Sequence, residues 1–149
     1  MVSVLRIRII GMDGTATLAT LYQFFQGNDM GDLKTFNHFH DWYIDTFHVS
    51  KERETLTLGL YLQDRRASVS FVGMNRCVLE NLGLQNIVYG IEVLEPGTPR
   101  YEKAQRILAR AERWTDNKPS QVAQIFSTCG ADLIVEFDSL EIESSTIEL

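Results

Sequence analysis

All three histidines of the chain lie between positions 38 and 48, as His38, His40 and His48, with Asp41 and Asp45 among them. On an extended segment His38 and His40 share a face, because side chains alternate. With Asp41 or His48 they would hold a divalent cation and leave one position open for a metal-bound water. That is the pattern of a small metal-dependent hydrolase or a metal-binding protein using His38, His40, Asp41 and His48. Helical spacing sorts the segment differently, with Phe36, Phe39, Tyr43 and Phe47 on one side and His38, Asp41, Asp45 and His48 on the other. At about 100° per residue His40 then stands about 160° from His38, and the polar side reads as a solvated face opposite an aromatic stripe. On this ground the spacing predicts a helix over 33–48. A helix carrying Trp42 and Tyr43 could also dock on a larger partner, and the exposure of Trp42 separates that from a core role.

The loop Gly11-Met12-Asp13-Gly14-Thr15 follows an apolar run, as phosphate-binding loops do. A P-loop needs Gly-Lys-Ser/Thr so that a lysine reaches the phosphates, and that lysine is missing. The loop resembles the Asp-x-Asp-Gly-Thr motif of haloacid-dehalogenase-like phosphatases only in its last three residues. Gly11 stands where the nucleophilic aspartate belongs, so phosphatase chemistry has no nucleophile. A tight turn capped by Asp13 or Thr15 is the simpler reading.

Two surfaces carry charge or hydroxyls without a complete catalytic set. Lys103, Arg106, Arg110 and Arg113 recur at helical spacing, with Arg100 nearby, while Tyr101, Ala104, Leu108 and Ala111 take the opposite side. This basic stripe would hold an anionic small molecule or an acidic protein surface. The chain also supplies its own counter-charges, since Asp132, Glu136, Asp138, Glu141, Glu143 and Glu148 follow its last lysine, Lys118. Arg6, Arg8, Thr55, Thr57, Tyr61, Ser68 and Ser70 would share the helix-free face of a sheet. Such a face suits an anionic ligand or a second subunit. It lacks the aromatic platforms on which an RNA-recognition sheet stacks bases.

The elements that must position these groups follow from periodicity. Leu5, Ile7 and Ile9 alternate in a strand over 4–10, a turn follows at 11–14, and Leu18, Leu21, Tyr22 and Phe25 mark a helix over 15–27. Leu56, Leu58, Leu60 and Leu62 alternate over 54–62, and Ala67, Val69 and Phe71 do so over 67–73, making a hairpin around Gln63–Arg66. Met74, Val78 and Leu82 predict a short helix over 74–82 ended by Gly83, and Ile87, Tyr89, Ile91 and Val93 a fourth strand. Thr98-Pro99 starts a helix running to about Trp114. Val122, Ile125, Phe126 and Cys129 predict another helix, ended at Gly130. A last strand covers 132–142, with a bulge at Asp138-Ser139 where the phase slips. The order gives an α+β fold: a ferredoxin-like βαββαβ sandwich with an inserted helix and a C-terminal α-α-β extension. The expectation is one domain over 1–149, with the βαββαβ core over 1–95, the extension over 96–143 and a frayed tail over 144–149.

Composition bounds the function. The 149 residues carry 14 Lys and Arg against 20 Asp and Glu, a net charge of −6, which argues against a nucleic-acid binder. Hydrophobic residues at 44% and charged residues at 23% are ordinary for a globular domain, so disorder is excluded. No apolar run is long enough to cross a bilayer, and Arg6 and Arg8 interrupt the only stretch that could serve as a signal peptide, so a cytoplasmic protein without membrane contact is expected. Cys77 and Cys129 form no C-x-x-C pair, and both read as reduced and buried, Cys129 at a helix C-terminus where the dipole disfavours a thiolate. The expected function is a non-catalytic, regulatory small-molecule-binding or protein-interaction module without a cofactor, homodimeric. Its contacts would be Arg6, Arg8, Thr57, Tyr61, Ser68 and Ser70 on the sheet and Lys103, Arg106, Arg110 and Arg113 on the helix.

Overall fold

A computed structural model describes residues 33–116 and 121–146. A 3-10 turn, Asn37–Phe39, leads into eight strands: β1 (Tyr43–Ser50), β2 (Thr55–Leu62), β3 (Arg65–Val72), β4 (Arg76–Glu80), β5 (Ile87–Val93), β6 (Gln121–Cys129), β7 (Asp132–Phe137) and β8 (Ser139–Thr146). Helix α1 (Pro99–Leu108) lies between β5 and β6 and is the one helix of seven residues or more among the described residues. The strands form one antiparallel sheet in the order β4-β7-β6-β5-β1-β2-β3-β8.

The sheet folds back on itself because two of its strand pairs are continuous across a bend. β3 runs on through Gly73–Asn75 into β4, and β7 runs on through Asp138 into β8. β3 pairs with β8 and β4 with β7, and the bend is bridged by Asp138 N–H to Val72 O at 2.9 Å and Asn75 N–H to Glu136 O at 3.0 Å. This ribbon carries the chain from one four-stranded layer, β1-β2-β3-β8, to the other, β5-β6-β7-β4, as bent strands do at the corners of orthogonal sandwiches. The inward residues of both layers share one core: Leu56, Leu58, Leu60, Val69 and Phe71 from the first, Val88, Ile91, Ile125, Val135 and Phe137 from the second. Phe71 and Phe137 meet edge to face at 5.0 Å. Each fully buried leucine contributes roughly 1.5–3 kcal/mol by leaving water.

Helix α1 covers the outer face of the second layer. Thr98 caps it, accepting a hydrogen bond from Tyr101 N–H at 3.3 Å, and Pro99 fits the first turn, where no N–H partner is needed. Ala104 and Leu108 pack on Leu94, Val122 and Ile134. β7 is therefore buried on both faces, and Glu136 on its outer side is only 4% exposed.

This architecture overturns the expected α+β, ferredoxin-like βαββαβ sandwich with its inserted helix and C-terminal α-α-β extension: the described residues are mainly antiparallel strand, and β6 and β7 sit inside the sheet between β5 and β4. In the segment 33–48 only residues 33–35 are α-helical; a 3-10 turn at Asn37–Phe39 and β1 follow, and a bulge between Ile44 and Thr46 breaks the alternation that would mark β1 in the sequence. Residues 76–80 are β4, an edge strand too short to show a period. The helix expected around Val122–Cys129 is β6, which places Val122 under α1 and Ala123 and Ile125 in the sandwich core, so apolar residues fall on both faces. Cys129 is exposed at the end of that strand, so neither its burial nor its place at a helix terminus holds. Helix α1 stops at Leu108 instead of Trp114, and β8 continues to Thr146 where a frayed tail was expected. The β2–β3 hairpin, the capped start of α1 and the break at Asp138 agree with the sequence. The expected strand over 4–10, the turn over 11–14 and the helix over 15–27 lie outside the described residues. Among the described residues no helix is long and apolar enough to cross a membrane.

Candidate functional site

The histidines do structural work in this fold. Asn37, His38 and Phe39 all have positive φ, between 50° and 60°, and Asp41 has φ 69°. A run of non-glycine residues in that region is strained by contact of Cβ with the backbone. What holds it is burial and side-chain bonding. Phe39 is fully buried, stacked on Phe36 at 4.8 Å and edge-on to Trp42 at 5.1 Å. His38 Nδ1 lies 3.0 Å from Ile91 O and His40 Nδ1 lies 2.9 Å from Tyr89 O. A carbonyl only accepts, so both Nδ1 atoms carry the proton and the rings tie this turn to β5. His40 Nε2 stands 3.6 Å from Asp41 Oδ1. His48 sits elsewhere, on β1 opposite Thr57 of β2. The structure thus does not gather His38, His40, Asp41 and His48 into one site, and among the described residues no three His, Cys, Asp or Glu groups are placed to hold a metal ion. Trp42 is 2% exposed and belongs to the core, which removes the anchor of a docking aromatic helix.

The basic stripe is largely neutralised within the chain. Arg110 Nη2 donates to Glu80 Oε1 at 2.6 Å, Arg100 pairs with Glu92 at 2.8 Å, and Arg113 approaches Glu136 at 3.7 Å. Arg76, 9% exposed at its side chain, makes the closer contact to Glu136: Nε lies 3.2 Å from Oε1 and Nη2 donates to Oε2 at 3.2 Å. Lys103 and Arg106 are exposed and make no ion pair among the described residues. Burial pushes the Cys77 thiol, on β4, above its ordinary pKa.

The sheet residues split into two groups. Thr57 and Ser70 hydrogen-bond to each other at 2.9 Å across β2 and β3, and Ser68 stands opposite Gly59 and Glu143. Tyr61 instead enters a cleft. Its ring stacks on Tyr43 at 5.1 Å with 14° between the planes, and the Arg66 guanidinium lies 5.7 Å above it. Arg66 Nη2 also donates to both carboxylate oxygens of Asp45 at 2.8 Å. Asp45 reaches that arginine because it occupies the β1 bulge, and Gly59 leaves the space: a Cβ there would stand 2.9 Å from Thr46 Cβ. Arg6 and Arg8, the other residues expected on this face, lie outside the described residues.

The cleft, about 470 Å³, separates β1 from the loop 81–86 and is lined by Tyr43, Asp45, Phe47, Tyr61, Leu82 and Leu84 among others. Asn86 fixes that loop. Buried itself, it accepts Gly83 N–H at 3.0 Å and Ala131 N–H at 2.9 Å on Oδ1, donates from Nδ2 to Gly83 O at 2.9 Å, and offers its own carbonyl to Ile44 N–H at 2.8 Å. The loop so held presents Leu82, 59% exposed, and Leu84, fully exposed. A second cleft of about 260 Å³ lies at the other end of β1, lined by Val49, Lys51, Met74 and Trp114, with the Lys51 amine 5.2 Å from the Trp114 ring. Sequence reasoning missed Asp45–Arg66, Leu84 and Asn86. The available signal was a pair of leucines set among turn-forming residues in Asn81-Leu82-Gly83-Leu84-Gln85-Asn86. No family model matches the chain, and no curated protein is significantly similar to it in sequence.

Proposed function

We propose that this chain is a non-catalytic protein-interaction module that meets its partner at the cleft between β1 and the loop 81–86. The observation that carries the reading is that Leu82 and Leu84 project into solvent from a loop that Asn86 holds in place. Apolar groups that are both exposed and pre-ordered lose little entropy on binding and are typical of contact anchors. The stacked Tyr43 and Tyr61 and the Asp45–Arg66 pair would supply the polar side of the contact. Lys103 and Arg106 form a second surface, fit for an acidic protein surface or an anionic small molecule, because they are the members of the basic stripe left without an ion pair among the described residues. A cytoplasmic setting goes with this reading, since Cys77 and Cys129 are both free.

The test compares the parent chain with Leu82→Asp/Leu84→Asp by sedimentation and native mass spectrometry. The variant is expected to lose a bound species, whether a further subunit or a retained molecule, while its melting curve stays within about 0.5 kcal/mol of the parent, as surface changes do. Identical assembly and identical retained mass in parent and variant would remove the reading.

A further inference from the structure

Resting on that reading, we propose that the partner at the cleft is a second copy of this chain, joined by antiparallel pairing of β1 with β1 about a twofold axis at His48. β1 pairs with β2 along its whole length, from Tyr43 opposite Tyr61 to Ser50 opposite Thr55. On its other side it pairs with β5 only at Tyr43 and Ile87, flanked by Ile44 N–H to Asn86 O and Val88 N–H to Trp42 O. Beyond Ile44 the two strands splay apart and the cleft opens between them.

An antiparallel ladder turns alternate residues toward alternate neighbours. Ile44 faces β5, and the one-residue bulge after it carries the same orientation to Phe47 and Val49. Their N–H and C=O groups point away from β2 and meet no backbone partner among the described residues. Proteins that leave such an edge bare blunt it with proline, with lysine or with very short strands. A bulge and one charge, both at Asp45, stand at the start of the open part of β1, and the residues beyond it, Thr-Phe-His-Val-Ser, carry no proline and no charge. Val49 is instead 60% exposed there, and the apolar Leu82 and Leu84 stand across the cleft.

The edge is self-complementary. Two copies of β1 set antiparallel with Phe47 of each opposite Val49 of the other exchange hydrogen bonds at both pairs. This register places His48 against His48, Thr46 against Ser50, and Lys51 of each copy toward Asp45 of the other. A contact in which the same patch serves both partners closes as a dimer and leaves none of this β1 edge for a third chain. It also joins the two sheets into one, and covers the clefts at both ends of β1.

Three measurements test this. Sedimentation from sub-micromolar to sub-millimolar concentration is expected to show a monomer–dimer equilibrium. Val49→Pro removes an N–H that β2 does not use, so the β1–β2 ladder survives while the dimer weakens by more than about tenfold. His48→Cys in a Cys129→Ser background is expected to give a disulfide-linked dimer on mild oxidation. Residues facing each other in a non-hydrogen-bonded pair have Cα atoms about 4.5 Å apart, within disulfide reach, and Ser50→Cys in the same background is expected not to cross-link. A monomer at every concentration overturns the proposal. So does a dimer that tolerates Val49→Pro and fails to cross-link at position 48; if Val49→Pro fails to fold, the cross-linking pair decides alone. Should the parent be monomeric yet release some other bound species in Leu82→Asp/Leu84→Asp, the second-copy pairing fails and the interaction reading stands.

Discussion

Replacing Asn86 by alanine tests whether one buried amide holds the loop that presents Leu82 and Leu84. The side chain makes three hydrogen bonds, two to Gly83 and one to Ala131 N–H. Gly83 lies on an exposed loop, where water can take over both of its bonds, so these contribute about 0.5 kcal/mol each. Ala131 is buried, and its N–H would be left without an acceptor at a cost of roughly 1–3 kcal/mol. The total is about 3 kcal/mol. With a urea slope near 2 kcal/mol per molar, ordinary for a small domain, the unfolding midpoint falls by about 1.5 M. Hydrogen exchange should quicken at Gly83 and Ala131 together, since one amide serves both. Asn86→Asp supplies a control. Its oxygens can still accept both N–H groups, and only the protonated acid can donate to Gly83 O, so its deficit should widen as pH rises through the carboxyl range. A midpoint shift for Asn86→Ala equivalent to less than about 0.5 kcal/mol, with exchange unchanged at Ala131, would refute the claim that Asn86 fixes the loop.

Glu136→Gln removes the charge between Arg76 and Arg113 in a buried setting and should cost about 3 kcal/mol in urea unfolding, whereas the double change Arg76→Met/Glu136→Leu should cost much less because the buried Arg76 charge goes too and the Arg113 that stays is partly exposed to water. Because burial raises the Cys77 thiol in the folded chain above its usual 9.0, the unfolded state ionises first as pH climbs. The stability that this group contributes is therefore full below about pH 9 and is lost as pH rises toward the folded value; a Cys77→Ser chain should show a flatter alkaline profile by thermal melting. A disulfide-exchange reagent at pH 8 should modify the exposed Cys129 first and Cys77 only on unfolding. His38→Ala frees the Ile91 carbonyl and loosens a turn held at positive φ, and a loss of about 1 kcal/mol is expected in the same melts; no change would mean that Phe39 burial alone holds the turn.

Periodicity was readable wherever one face of a strand is covered and the other is not. β2 and β3 meet that condition: their leucines, valine and phenylalanine point into the core and their hydroxyls outward, so the hairpin stands in the sequence. β6 does not, because α1 covers its outer face, and Val122, Ala123 and Ile125 are buried on two sides; the spacing that results imitates a helix. In β5 the register slips between Val88 and Gly90, so Ile87, Tyr89, Ile91 and Val93 alternate in the sequence while Val88, Gly90 and Ile91 are the residues buried. β1 hid behind its own bulge at Asp45. The polar groups were found but not their roles. His38 and His40 looked like ligands because only the fold reveals the β5 carbonyls that occupy them. Arg100 of α1 and Arg110 just beyond its end looked free because Glu92 and Glu80 come from strands distant in the sequence. Asn86 could not be singled out at all, since its partners Gly83 and Ala131 are backbone groups brought together by the β5–β6–β7 meander.

The bent ribbon of β3–β4 and β7–β8 also sets the order in which the molecule can assemble. β1 pairs with its successor β2 and β2 with β3, so these can zip as soon as they are joined, whereas the other edge of β3 and the whole of β4 wait for partners that follow α1 and β6 in the chain. Loop closure over so much intervening chain is slow, so folding should be limited by this late docking rather than by the early hairpins. Until then β3 offers an unpaired edge to any neighbouring chain. Crowded, fast synthesis would therefore favour aggregates stitched through β3, and slower synthesis or lower temperature should raise the folded yield without any change in the stability of the finished protein.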